Sequence, residues 1–186
     1  MKLIRLFLKK PISQYHPALY FIIIWIRRGF RYVQWKTDGR QYAQSFHSNP
    51  LTFRVKKHQS VLIRKLGDSE QRWQKNKVIN LKIASERIST ILIKPNETFS
   101  FCQLVGLPTI KQGYVEGMEL SFGQARGGIG GGICQIANLI HWLVLHSPLE
   151  VIQRSQHSFD PFPDQGRVLP CILVCIVISY HYMKIV

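Results

Sequence analysis

Cys134 stands behind a glycine-rich run, GGIGGGI from Gly127 to Ile133, and the chain turns apolar directly after it. His157 follows on a later segment, with Asp160 three residues further on and Asp164 as the alternative carboxylate. A cysteine, a histidine and a carboxylate are the parts of a thiol acyl-transfer site: the imidazole takes the thiol proton, the carboxylate orients the imidazole, and the thiolate attacks a carbonyl. On that reading Cys134, His157 and Asp160 are catalytic. Gly130, Gly131 and Gly132 permit backbone at positive φ and let an oxyanion approach main-chain N–H groups closely. Arg126 carries a planar guanidinium suited to a substrate carboxylate, and Gln135, beside the thiol, is the other substrate-binding candidate. A phosphate loop would want Lys-Ser or Lys-Thr behind the glycines, and Cys134-Gln135 stands there instead. No metal and no cofactor is expected, because His141 and His146 are five apart and point in different directions on a helix. The competing reading is non-catalytic: the same loop grips a carboxylated ligand at a helix N-terminus, in a binding or scaffold protein.

The thiol depends on the element behind it. Ile136, Leu139, Ile140, Leu143 and Val144 fall at the spacing of an amphipathic helix that ends by Ser147-Pro148. Cys134 therefore belongs to the first turn, where unpaired N–H groups and the positive end of the dipole favour a thiolate and can lower its pKa from about 8.5 toward neutrality. EVIQRS reads as a strand that brings His157 to its end. Upstream, aromatic and basic helical segments occupy roughly 15–42, with a turn near Asp38-Gly39. A second helical pattern begins at Ser69 and puts Trp73, Leu81, Ala84 and Ile88 on one face. ISTILI and FSF read as short strands separated by a turn at Pro95-Asn96. The expected fold is α+β: a single domain with a basic, helix-rich N-terminal part and a Gly-rich loop leading into a helix. The expected organisation is a basic aromatic segment at 1–68, a domain at 69–170 and an atypical tail at 171–186.

Composition narrows the partners. The 186 residues are 46% hydrophobic and 19% charged, which excludes disordered and collagen-like chains. The net charge of +15 lies wholly in the first hundred residues, which hold 20 Lys and Arg against 5 Asp and Glu, while the rest holds 5 against 5. Such a field attracts polyanions in general. No zinc-finger, RNP-like or basic-heptad pattern accompanies it, so no nucleic acid is expected. The apolar stretch from Pro17 to Ile26 is about half of the ~20 residues that span a bilayer, and Arg27, Arg28 and Arg31 stand where a cleavage site would follow a signal. The expected location is cytoplasmic, with possible peripheral contact between the aromatic-arginine helix and an anionic membrane. With no export signal read, Cys102, Cys134, Cys171 and Cys175 are expected as reduced thiols, all but Cys134 serving as buried hydrophobes.

Phe99-Ser-Phe, Gly113-Tyr114, GGIGGGICQ and HSFDPFPDQGRVLP together resemble the VanW family, over roughly 15–170. The resemblance implies peptidoglycan-related biology, an association with vancomycin resistance, and a peptidoglycan stem peptide or precursor as partner. In some exported relatives the matching cysteine is implicated as the acylated nucleophile of an L,D-transpeptidase, which maps onto Cys134. Gln156 stands where relatives carry a second histidine. After Leu169-Pro170 the family continues with a Gly/Ser turn and an aromatic strand, whereas this chain ends CILVCIVISYHYMKIV. That ending reads as premature or frame-shifted, and its uncharged β-branched run is aggregation-prone unless buried.

Overall fold

The computed structural model describes residues 17–49, 51–60, 62–63, 71–121, 124–156 and 173–179. Two compact units divide the chain at Arg40 and Gln41. The first contains one long helix, α1 (Pro17–Thr37). The helix stops where Gly39 takes φ 69° and Asp38 accepts from the Arg40 N–H at 3.1 Å. Helix therefore ends before the turn and does not run through Tyr42 as the aromatic pattern suggested. Tyr42 instead belongs to a strand.

The second unit is the mixed α+β body expected from the sequence. A four-stranded sheet carries the order β1 (Gln41–Tyr42), β4 (Glu97–Ser100), β8 (Leu173–Ser179), β7 (Glu150–Gln156). Two smaller antiparallel pairs join β2 (Ser45–Phe46) to β3 (Ile91–Leu92), and β5 (Glu116–Ser121) to β6 (Gln124–Ile129). Helices α2 (Gln71–Glu86) and α4 (Cys134–Val144) supply the long elements, with a five-residue α3 (Phe101–Val105) between them. Helix α2 lies against β5, and α4 against β8 and β7. Their meeting surface is the core: Leu81 and Ala84 from α2, Ile136, Ala137 and Val144 from α4, with Phe99, Phe101, Val105 and Tyr114.

Two expectations change. ISTILI contributes only Ile91 and Leu92 to a strand, because Ile88 to Thr90 form a turn in which Thr90 takes φ 63°. FSF splits at its last residue: Ser100 ends β4 and Phe101 begins α3. Of the tail, residues 173–179 are described, and they form a strand. Strand β8 pairs with β4 through Phe99↔Ile178 and with β7 through Arg154↔Ile176, so both of its edges are hydrogen-bonded. A β-branched run is hazardous as an exposed edge and ordinary as an interior strand. A further difference concerns redox state, since Cys102 is disulfide-bonded, to a partner outside the described side chains. Helix α3 lies against β8, a proximity that spacing along the chain does not reveal.

Candidate functional site

The glycine turn between β6 and α4 is shaped by what surrounds it. Gly130 and Gly132 take φ of 78° and 92°, a region that costs a side chain steric strain. Gly131 has an ordinary φ but no room: a Cβ there would meet the backbone carbonyl of Gly117 on β5. A Cβ on Gly130 would meet the Pro108 ring, and one on Gly132 would meet the Lys77 side chain at Cγ and Cδ. Glycine is thus required at Gly130 and Gly132 by conformation and at Gly131 by close approach of two backbones.

Hydrogen bonds stitch the turn down. Gly130 N–H donates to Val115 O at 3.1 Å, and Gly131 N–H to Gly128 O at 3.0 Å. Asn80, fully buried on α2, donates from Nδ2 to Gly131 O at 3.0 Å and to Val115 O at 2.9 Å, and its Oδ1 accepts from Val115 N–H at 2.9 Å. One side chain therefore ties α2, the start of β5 and the turn together. Of the three glycines proposed to face an oxyanion, Gly130 and Gly131 use their N–H groups inside the turn. Gly132 N–H and Ile133 N–H find no acceptor among the described residues. Gln135 N–H and Ile136 N–H donate to Gly132 O and Ile133 O, tightening the first turn of α4. No side chain caps that helix.

Cys134 is the first residue of α4, half-buried, and outside any disulfide. The anchor behind it is apolar, with Ile136, Ala137 and Val144 buried. His58 and Ser60 lie beside this helix, with Ser60 Oγ accepting from Gln135 Nε2 at 3.1 Å and the His58 ring 5.7 Å from that of Trp142. Gln135 is therefore engaged by a neighbouring segment. Arg126 pairs across the hairpin with Glu119, Nε to Oε1 at 2.6 Å, and the two are register partners on β6 and β5. His157 and Asp160 lie outside the described residues, although β7 runs to Gln156, one position before the histidine.

The face of α2 toward the turn was missed by sequence reading. Gln74, Lys77 and Asn80 are buried there, where a helix of this polarity would be expected to show them to water. Lys77 Nζ donates to Gln74 Oε1 at 2.9 Å. At the far end of α4, about 15 Å along the helix axis from Cys134, an open cleft includes His141, Leu149, Val151 and Arg154. Burial, then the nearby Arg154 charge, lowers the His141 pKa below its ordinary value. That cleft does not include the thiol.

Fold and site define a mixed α+β protein that presents a cysteine at a helix start behind a stitched glycine turn. The family described as "VanW like protein" matches residues 76–170, a span that contains the turn, Cys134 and His157. The chain belongs to the VanW family. It is similar to the "Vancomycin B-type resistance protein VanW" of Enterococcus faecalis (strain ATCC 700802 / V583), at 35% identity over 156 residues, covering 84% of this chain and 57% of the relative. It is also similar to the "Uncharacterized protein YoaR" of Bacillus subtilis (strain 168), at 34% identity over 94 residues, 50% of this chain and 31% of the relative. The chain thus spans little more than half of one relative and under a third of the other. No solved structure matches.

Proposed function

We propose that this chain is an accessory protein of glycopeptide resistance and peptidoglycan metabolism, with Cys134 as an acyl-transfer nucleophile of the L,D-transpeptidase type acting on a stem peptide. The observation that carries the reading is a thiol at the first residue of α4, outside any disulfide, directly behind two N–H groups, of Gly132 and Ile133, that have no acceptor among the described residues. His157 takes the thiol proton, and Asp160 orients its ring. The thiolate adds to a peptide carbonyl, and the oxyanion that forms is stabilised by the Gly132 and Ile133 N–H groups. Collapse breaks the C–N bond, the leaving amine receives the proton from His157, and a thioester remains on Cys134. An acceptor amine then attacks the thioester, His157 takes the proton the amine loses, the C–S bond breaks, and the thiolate is released. Incubation with stem-peptide fragments followed by peptide mass spectrometry tests this: the expected result is an acyl adduct on Cys134, absent in Cys134→Ser. An unmodified Cys134 after turnover-length incubation argues against it.

Two features bear on location. A disulfide at Cys102 suits an oxidising compartment better than the cytoplasmic location expected from the sequence. No described helix is long and apolar enough to cross a membrane. Helix α1 does expose Phe21, Trp25, Phe30 and Tyr32 among Arg27, Arg28, Arg31 and Lys36, and the Arg28 guanidinium lies 5.1 Å over the Trp25 ring. Aromatic rings interleaved with cations fit an anionic headgroup layer, and we infer peripheral membrane contact through this helix. Flotation with vesicles containing phosphatidylglycerol, but not with neutral vesicles, is the expected outcome; equal behaviour with both removes it.

A further inference from the structure

Helix α4 buries Ile136, Ala137, His141 and Val144, so the histidine holds a position in the apolar stripe where a leucine would be ordinary. It is 6% exposed, and no described residue hydrogen-bonds its ring. A buried polar group without a partner is costly, and native structures keep few of them without a use. The ring is not sealed, however. Buried side-chain atoms with no partner include the neighbouring Trp142 Nε1 but neither ring nitrogen of His141. The opening that His141 lines is the cleft at the far end of α4, of about 570 Å³. Strand β7 is shaped to that cleft. Val151 pairs with Ile178 and Gln153 with Val177, so Ile152 is an extra residue, a β-bulge. Strict alternation would turn Val151 and Ile152 to opposite faces of the sheet. With the bulge, both border the same cleft, together with Arg154 and with Val144 and Leu149. Apolar walls around one convergent polar group, at this volume, are the make-up of a small-molecule site. Arg154 gives the site a direction. Burial, then the Arg154 charge, keeps the His141 ring in its neutral form, which has one N–H to donate. The same charge disfavours a cation beside the ring and favours an electronegative oxygen.

We propose that this cleft binds a small, uncharged, mainly aliphatic molecule through a carbonyl oxygen that accepts from the His141 ring N–H, its aliphatic body lying against Val144, Leu149, Val151 and Ile152. An amide or ester of a short aliphatic chain has this chemistry, and an alkylammonium does not. The site is separate from the thiol, and the proposal stands without the acyl-transfer reading. Its walls nevertheless belong to α4, which begins at Cys134, and to β7, which ends one position before His157. A molecule in the cleft therefore touches both elements.

Hexanamide and hexylamine have the same chain length and differ at the polar end, a neutral carbonyl group in one and an ammonium in the other. Titrating each into the isotope-labelled full chain, and following the histidine ring signals by NMR, reads the site at His141 itself. Hexanamide is expected to shift the His141 ring signals more than those of any other histidine. Its dissociation constant should be on the order of 1 mM, as suits a probe of this size. Hexylamine should bind about tenfold more weakly or worse. His141→Leu keeps an apolar shape in the stripe and removes the donor, and hexanamide affinity, read by saturation transfer on the probe, should fall about tenfold. His146→Gln, exposed at the same end of α4 and outside the cleft, should leave that affinity within about twofold. His141 signals unmoved by hexanamide well above the expected dissociation constant overturn the proposal, as does equal binding of the two probes. So does a His141→Leu protein with the wild-type circular dichroism spectrum and undiminished affinity. Should that variant fail to fold, the wild-type ring signals and the amide-to-amine ratio decide.

Discussion

Helices α2 and α4 meet at the same glycine turn and are built on opposite plans. Helix α4 buries Ile136, Ala137 and Val144 and is held by apolar packing. Helix α2 buries Gln74, Lys77 and Asn80 next to Leu81 and Ala84, and reaches the turn through the hydrogen bond of Asn80. Apolar contact is non-directional and tolerates small rearrangement, whereas a buried amide is satisfied in one geometry only. The difference teaches that α4 carries the thiol while α2 sets the shape of the backbone beside it.

The contrast is broken most severely at the clamp. Gly131→Ala drives a methyl into the Gly117 backbone, which has no flexible end to give way, and Asn80→Leu strands Val115 N–H and Gly131 O while leaving Val115 O only the Gly130 N–H. Each is expected to cost about 3 kcal/mol or more in chemical denaturation, a large share of a domain's stability. A loss below about 1 kcal/mol for Asn80→Leu would mean that the turn holds itself. On the apolar side the effect is gentler. Ile136→Val should cost about 1 kcal/mol and leave Cys134 alkylation within about twofold of wild type, because one lost methylene does not redirect the helix start.

The fold was legible where burial is apolar and local. The spacing of Ile136 to Val144 gave away α4, and Pro95-Asn96 marked a turn in which Asn96 takes φ 66°. Several residues of the family pattern prove to be structural: Phe99, Phe101 and Tyr114 are in the core, and Gly113 ends a 3-10 turn at φ 85°. The polar face of α2 was illegible because hydropathy assigns Gln, Lys and Asn to water. Only a partner from distant sequence, Gly131 or Val115, makes Asn80 a core residue. The Cys102 disulfide and the interior position of β8 were hidden for the same reason: both depend on which segments the fold brings together.

A smaller effect sharpens the comparison at the far end of α4. His141 is buried with its pKa lowered, first by burial and then by Arg154. The unfolded chain therefore takes up a proton that the folded chain resists. Stability should be full above the ordinary histidine value of about 6.5 and should fall as pH drops below it, toward the lowered folded value. Denaturation midpoints at pH 7.5 and 5.5 in wild type and His141→Gln check this: the acid loss should shrink in the variant, and an unchanged loss would place its origin elsewhere.

The central claim is that the start of α4 and the stitched turn make Cys134 a nucleophile. Its most direct test is the rate of Cys134 alkylation by iodoacetamide as a function of pH, followed at that residue by peptide mass spectrometry. The account predicts an inflection well below the ~8.5 of an ordinary thiol, and a rate near neutral pH above that of glutathione. An inflection at or above the ordinary value, with a neutral-pH rate no faster than glutathione, would contradict it.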